Sequence, residues 1–178
     1  MERRLVVVTS FIAFAIVLAT DVLYVAVINS QGSPDAMIYA PRFVASYLAV
    51  LAAIILVALL PRHEVVQIRV PLRATAAAGL LVAGFVGAFS IGLPLVASGV
   101  LMTVALTRTA RIAGSWWWRS SGLVAAVLAV VVFAAGIEIT SKIIVCPETG
   151  TSGGGGTDLL TGPYHYECNN GHLDYRSG

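Results

Sequence analysis

Nine carboxylates, three histidines and two cysteines are the groups of this 178-residue chain with the chemistry to move a proton, hold a metal or form a covalent bond. Two carboxylates fall inside long apolar runs. Asp21 lies about seven residues before the end of the first run, roughly 10 Å deep at 1.5 Å per residue. A carboxylate at that depth in hydrocarbon costs about 2.5–3.5 kcal/mol on insertion scales. It must be protonated, face water or find a donor, and Tyr24, one turn on, is the nearest hydroxyl on the same face. The chemistry open to it is proton or cation binding, or contact with a partner subunit; the plain alternative is a neutral, hydrogen-bonded acid. Glu138 is followed by Lys142 at i+4, the favourable order for a helical ion pair, so a structural role is expected there.

Cys146 and Cys168 both follow the last apolar run. In an oxidising compartment two such cysteines are expected to pair, and closing the loop between them removes unfolded-state entropy worth about 3 kcal/mol. Within that loop, Gly150 to Thr157 reads as a flexible linker by composition. It lacks the Gly-Lys-Ser/Thr of a phosphate-binding loop, and no strand precedes it. From Tyr164 to Tyr175 aromatics alternate with polar residues around Asn170-Gly171, a type I′ turn signal, which predicts a β-hairpin. His165, Glu167, His172 and Asp174 on that hairpin match no zinc spacing, and Glu167 would face Asp174, so no metal and no cofactor is expected. The sequence also has no Cys-x-x-Cys, His-Glu-x-x-His, Gly-x-Ser-x-Gly or Gly-x-Gly-x-x-Gly, and no histidine inside an apolar run. Nothing argues for an enzyme.

The elements that must position these groups are transmembrane helices. Hydrophobic residues make up 58% of the chain and charged residues 11%, against about 25% charged in a soluble domain. A water-soluble fold of this size buries only about two-thirds of its unfolded surface and could not hide so much. Runs of about 20 apolar residues, enough for a 30 Å core, occur at about 5–28, 43–60, 72–91, 94–112 and 121–144. The third and fourth are divided at Ser90-Ile91-Gly92-Leu93-Pro94, with glycine expected in a left-handed cap and proline in the first turn of the next helix. Two full spans are favoured over a re-entrant hairpin because both arms are long enough to cross. The first run exceeds a signal-peptide core and no small-x-small site follows it, so it is expected to be retained.

With the N-terminus inside, Arg3, Arg4, Arg62, Arg69, Arg73, Arg108, Arg111 and Arg119 are cytoplasmic, against Arg42, Lys142 and Arg176 outside. Eight against three fits the positive-inside bias. Acidic residues, Asp35 among them, lean outward. The expected fold is therefore an all-α integral membrane protein: a bundle over 1–145 with five transmembrane helices, N-in and C-out, and a disulfide-closed extracytoplasmic tail over 146–178. An arginine-, alanine- and valine-rich composition hints at a GC-rich bacterial genome and hence a bacterial plasma membrane.

Ala45, Ala49 and Ala53 in the second run, and Gly79, Ala83 and Gly87 in the third, repeat at four-residue intervals. Small residues so spaced let helix backbones approach and mark packing faces. Trp116, Trp117 and Trp118 stand before the fifth run, where tryptophan anchors a helix in the headgroup zone. Besides the lipid bilayer, the expected partners are other membrane subunits; a net charge of +2 does not argue for nucleic acid. The expected role is a non-enzymatic accessory or scaffold subunit of a larger complex. The alternative is a small oligomeric ion or solute transporter or channel using Asp21, with Glu138 as a second candidate.

Overall fold

Five helices carry the apolar runs: α1 (Glu2–Ser30), α2 (Tyr39–Leu59), α3 (His63–Val86), α4 (Gly92–Ala113) and α5 (Trp116–Ser141). The computed structural model describes residues 2–30, 39–61, 63–88, 90–113, 116–158 and 162–177. Asp35 and Arg62, two residues of the charge count, lie outside them. Each helix contains a stretch of 19 to 27 residues long and apolar enough to cross a bilayer, and large apolar side chains point outward along all five. On α5 alone Leu123, Val124, Val127, Leu128, Val131 and Val132 are exposed. Contiguous apolar surface on that scale is foreign to a soluble monomer, and the five apolar helices suggest a multi-pass membrane protein.

The chain divides into two compact units, Met1–Tyr24 with Ala45–Phe133, and Val25–Val44 with Ala134–Gly178. In the first, each helix turns one stripe inward. On α1 it is Val6, Ser10, Ala13, Val17 and Thr20, at i+3 and i+4 steps; on α4 it is Leu95, Ser98, Met102 and Ala105. On α2 the buried residues are Tyr47, Leu48, Leu51, Ala52, Ile55 and Ala58. α3 is the most deeply buried helix of the five. Its small residues explain how it fits: a Cβ on Gly79 would lie 2.6 Å from the Tyr47 hydroxyl and 2.9 Å from Leu51 of α2. Facing α4, a Cβ on Gly84 would lie 2.8 Å from Val96, and one on Gly99 of α4 would lie 2.8 Å from Leu81.

Several expected boundaries move. α3 starts at His63, not Leu72, and runs through Pro71. The proline removes one N–H and frees the carbonyl four residues earlier, a disruption that helices in protein-lined surroundings tolerate. Arg69 and Arg73 are consequently helix residues and not loop residues. α3 ends at Val86, short of Ile91, and Gly87, Ala88, Ser90 and Ile91 lie in a turn, with Gly92 N–H donating to the Gly87 carbonyl at 2.7 Å. Pro94 sits in the first turn of α4 as expected. Gly92 does not take a left-handed φ. It is needed for space, because a Cβ there would strike the carbonyl oxygens of Gly84 and Gly87. The tryptophans belong to the first turn of α5 and do not precede it.

In the second unit, the ring of Phe43 lies directly over Gly136, where a Cβ could not fit. The chain after α5 then enters a three-stranded antiparallel sheet, β1 (Thr151–Asp158), β2 (Gly162–Asn169) and β3 (His172–Ser177), in the order β1-β2-β3. The expected hairpin is β2–β3. It turns at Asn170 (φ 46°) and Gly171 (φ 82°), the two left-handed positions of a type I′ turn, and it pairs Asn169 with His172 and Glu167 with Asp174.

The glycine-rich segment is not a linker but the strand β1. Gly154 pairs with Tyr166, Gly155 with His165 and Gly156 with Tyr164. Each ring lies across the glycine it faces: a Cβ would come within 2.7 Å of the Tyr166 hydroxyl, 2.8 Å of His165 Nδ1 and 2.7 Å of the Tyr164 hydroxyl. Aromatic side chains thus supply the contact surface that the glycines lack, the device known as aromatic rescue. A lock at the strand's start completes it: Gly150 N–H donates to Asn170 Oδ1 and Asn170 N–H donates to the Gly150 carbonyl, both at 3.0 Å.

Candidate functional site

Three polar groupings sit in the first unit and a fourth in the second. In the first unit, Asp21 follows the buried Thr20 on α1, and its Oδ1 is buried with no hydrogen-bond partner among the described residues. Tyr24, the hydroxyl one turn on, does not bond this oxygen. A tyrosine hydroxyl sits at the far end of a rigid ring, beyond the reach of a short aspartate one turn back. Thr20 cannot help, because its hydroxyl donates to the Ile16 carbonyl at 2.8 Å. Further along the same stripe the Ser10 hydroxyl is fully buried, again without a partner among the described residues. α1 therefore presents two unanswered polar groups on or beside its inward face.

The second grouping joins helices. The Tyr47 hydroxyl donates to the Ala129 carbonyl of α5 at 3.0 Å, and its ring packs on Phe133 with centroids 4.9 Å apart. Thr75 donates to the Pro71 carbonyl at 3.0 Å and approaches the Ala125 carbonyl at 3.5 Å. These bonds fix α2 and α3 against α5 by tying side chains to backbone oxygens already engaged in their own helix.

The third was not anticipated. Arg73 is only 4% exposed, inside the apolar stretch of α3, and its Nη1 donates to Thr109 Oγ1 of α4. Arg69, one turn earlier and half-buried, donates from Nη2 to the Leu60 carbonyl at 2.7 Å, closing the C-terminal end of α2. The Nε of both arginines is buried and has no partner among the described residues. Counting arginines by loop hid this pair, since a basic residue next to Pro71 reads as the end of a span. The signal available was the i, i+4 spacing of Arg69 and Arg73 beside an apolar run.

In the second unit, Glu138 is buried and pairs with Lys142 Nζ at 2.9 Å, while Lys142 remains 43% exposed. The lysine thus reaches solvent or headgroups while neutralising a carboxylate that hydrocarbon would penalise. Asp21 and Glu138 fall in different units. Cys146 and Cys168 form the disulfide, with Cα atoms 5.4 Å apart. Cys168 and Tyr164 are buried, giving the tail a small core of its own, and Tyr164 stacks on Tyr175 at 5.8 Å.

The two small-residue stripes part company. Gly79 and Ala83 are buried and Gly87 half-buried, facing neighbours in this chain, whereas Ala49 and Ala53 are exposed and Ala45 is half-buried. Trp117 is 75% exposed; the side chains of Trp116 and Trp118 lie outside the described set. Comparison of the chain with protein-family models, with curated proteins and with solved structures returns no match.

Proposed function

We propose that this chain is a non-enzymatic accessory or scaffold subunit of a larger complex in a bacterial cell membrane. In this reading the N-terminus is cytoplasmic and the disulfide-closed sheet extracytoplasmic. The exposed Ala49–Ala53 face of α2 carries the proposal. α2 buries a different face within the chain, made of Leu48, Leu51, Ile55 and Ala58, so the small residues at 45, 49 and 53 are left for a helix of another subunit. Association between membrane helices depends on close backbone approach, because lipid is as apolar as leucine and gives no hydrophobic drive. A smooth, small-residue face is suited to that contact. The sheet, stapled by Cys146–Cys168 and locked at Gly150–Asn170, is a rigid body able to cap a partner outside.

Purification from native membrane in mild detergent tests this reading. A stable partner should copurify and be lost from an Ala49→Leu/Ala53→Leu variant; a lone monodisperse protomer would refute it. Labelling of single cysteines introduced into a Cys146→Ser/Cys168→Ser background in intact cells tests the sidedness, since a cytosolic tail is incompatible with it.

The unpartnered Oδ1 of Asp21 favours a second reading, a small oligomeric ion or solute transporter with Asp21 as the proton or cation site. Asp21→Asn should then abolish flux into sealed liposomes while preserving the fold. Unchanged flux disposes of it.

A further inference from the structure

A charged guanidinium removed from water must be paired or it destabilises the fold, and the cost is lower only when the remaining N–H groups are also satisfied. Arg73 breaks that rule within this chain. It is 4% exposed, it has a neutral threonine hydroxyl as its hydrogen-bond partner, and among the described residues its Nε is buried and unbonded. Thr109 contributes no charge, and its own hydroxyl proton goes to the Ala105 carbonyl at 2.7 Å. Arg69 makes matters worse, since residues at i and i+4 lie about 5–6 Å apart at Cβ and the second guanidinium brings another positive charge and another unbonded Nε. No ion pair to either arginine occurs among the described residues. Two adjacent cations with open donors, one of them buried, describe a site built for an anion that no described residue provides.

Depth identifies the anion. Helical side chains lean toward their helix N-terminus, so the Arg73 guanidinium is directed from inside the span toward its His63 end. The Thr109 contact marks where it arrives. Thr109 lies two residues short of Arg111, where the apolar stretch of α4 ends. With α4 read as a membrane span, that level is the boundary between hydrocarbon and headgroups, about 3 Å inside by helix rise. Arg108 and Arg111, both exposed on the last turns of α4, add positive potential at the same end. Phosphate is the anion found at that level, and the planar arginine fork matches its oxygens in bidentate fashion. Basic pockets between helices on the cytoplasmic side are a known form of headgroup site.

We propose that Arg69 and Arg73 of α3, with Thr109 of α4, form a binding site for a phosphate group, which an anionic phospholipid headgroup or a soluble phosphate can supply. The site lies wholly within the first unit and does not depend on the accessory-subunit reading. Bound phosphate neutralises Arg73, engages the open Nε donors and ties the start of α3 to the end of α4.

The test uses the full chain in a neutral maltoside detergent. Its thermal unfolding midpoint is followed while phosphatidylglycerol is titrated in one arm and inorganic phosphate in the other. Phosphatidylglycerol should raise the midpoint saturably, and Arg69→Gln and Arg73→Gln should each weaken the apparent affinity roughly tenfold or more, as expected for loss of a charge-assisted hydrogen bond. Because the contact is sheltered from counterions, the effect should survive 0.15 M salt, where screening acts over about 8 Å. A phosphatidylglycerol effect without an inorganic phosphate effect assigns the site to lipid. An equal effect of inorganic phosphate, lost in the same variants, assigns it to a soluble ligand. If Arg73→Gln does not fold, Arg69→Gln, half-buried, and Thr109→Val carry the comparison. No shift in either arm, or shifts of full size in the variants that fold, overturn the proposal.

Discussion

Replacing Gly79 by alanine tests how α3 is held, because two opposing effects of known size meet at one atom. Alanine is the better helix former by about 0.8–1 kcal/mol, so on propensity alone the change stabilises. In the fold the new methyl would lie 2.6 Å from the Tyr47 hydroxyl and 2.9 Å from Leu51 Cδ2, when carbon contacts prefer about 3.5–4.0 Å. The tyrosine ring cannot yield freely: it packs on Phe133 and its hydroxyl donates to the Ala129 carbonyl at 3.0 Å. Overpacking costs about 1–3 kcal/mol, and losing the hydrogen bond adds about 0.5–1.5 kcal/mol. After the propensity gain is set against these, Gly79→Ala should destabilise by about 1–3 kcal/mol. Tyr47→Phe removes the oxygen that the methyl strikes, so the double variant Gly79→Ala/Tyr47→Phe should lose less than the two single variants summed, with a coupling of about 1 kcal/mol. The measurement is reversible unfolding in mixed micelles, followed by circular dichroism for all four proteins. A Gly79→Ala protein as stable as the parent, or strictly additive variants, would show that α2 and α3 do not meet as described.

The tail offers three further tests. Cys146→Ser/Cys168→Ser should cost the sheet about 3 kcal/mol, seen as faster amide exchange across 151–177 with the helices unaffected; equal protection in both proteins would deny the staple its role. Gly156→Val should weaken β1 although valine is the stronger strand former, because its Cβ would lie 2.7 Å from the Tyr164 hydroxyl; slower exchange in that strand contradicts the aromatic cover. Asn170→Ala should cost about 1–3 kcal/mol, combining the penalty for a left-handed residue with the lost bond to Gly150 N–H, and tail proteolysis rates report it.

Much of this was legible because the features concerned are local. Asn170-Gly171 announces its turn from two residues, and the five apolar runs appear at nearly the right places because a bilayer-length stretch is a property of composition. Pro94 in the first turn of α4 is of the same kind. Other features were misread because local composition pointed the wrong way. A run of four glycines has no preference for extended structure, and β1 exists because Tyr164, His165 and Tyr166 of another strand cover it. Gly92 read as a left-handed cap, whereas its requirement comes from Gly84 in the preceding helix and Gly87 in the turn after it. Pro71 read as a helix boundary, and moving that boundary to His63 brought Arg69 and Arg73 into a helix and revealed the buried cation.

The small-residue stripes show the same division. Periodicity alone marked both the Ala45–Ala49–Ala53 and the Gly79–Ala83–Gly87 faces as fit for close packing, and it could not say which would be used within the chain. Folding placed Gly79 against Tyr47 and left Ala49 and Ala53 uncovered, because a helix has one inward direction and the whole set of neighbours chooses it. Sequence by itself determined the number of long apolar helices and the hairpin turn, each settled by composition or by interactions over a few residues. The Glu138–Lys142 pair and the disulfide could be read from spacing and compartment, but tertiary structure alone decided which polar groups are left unanswered: among the described residues Asp21 and Arg73 keep unbonded atoms, since burial depends on residues far apart in the chain.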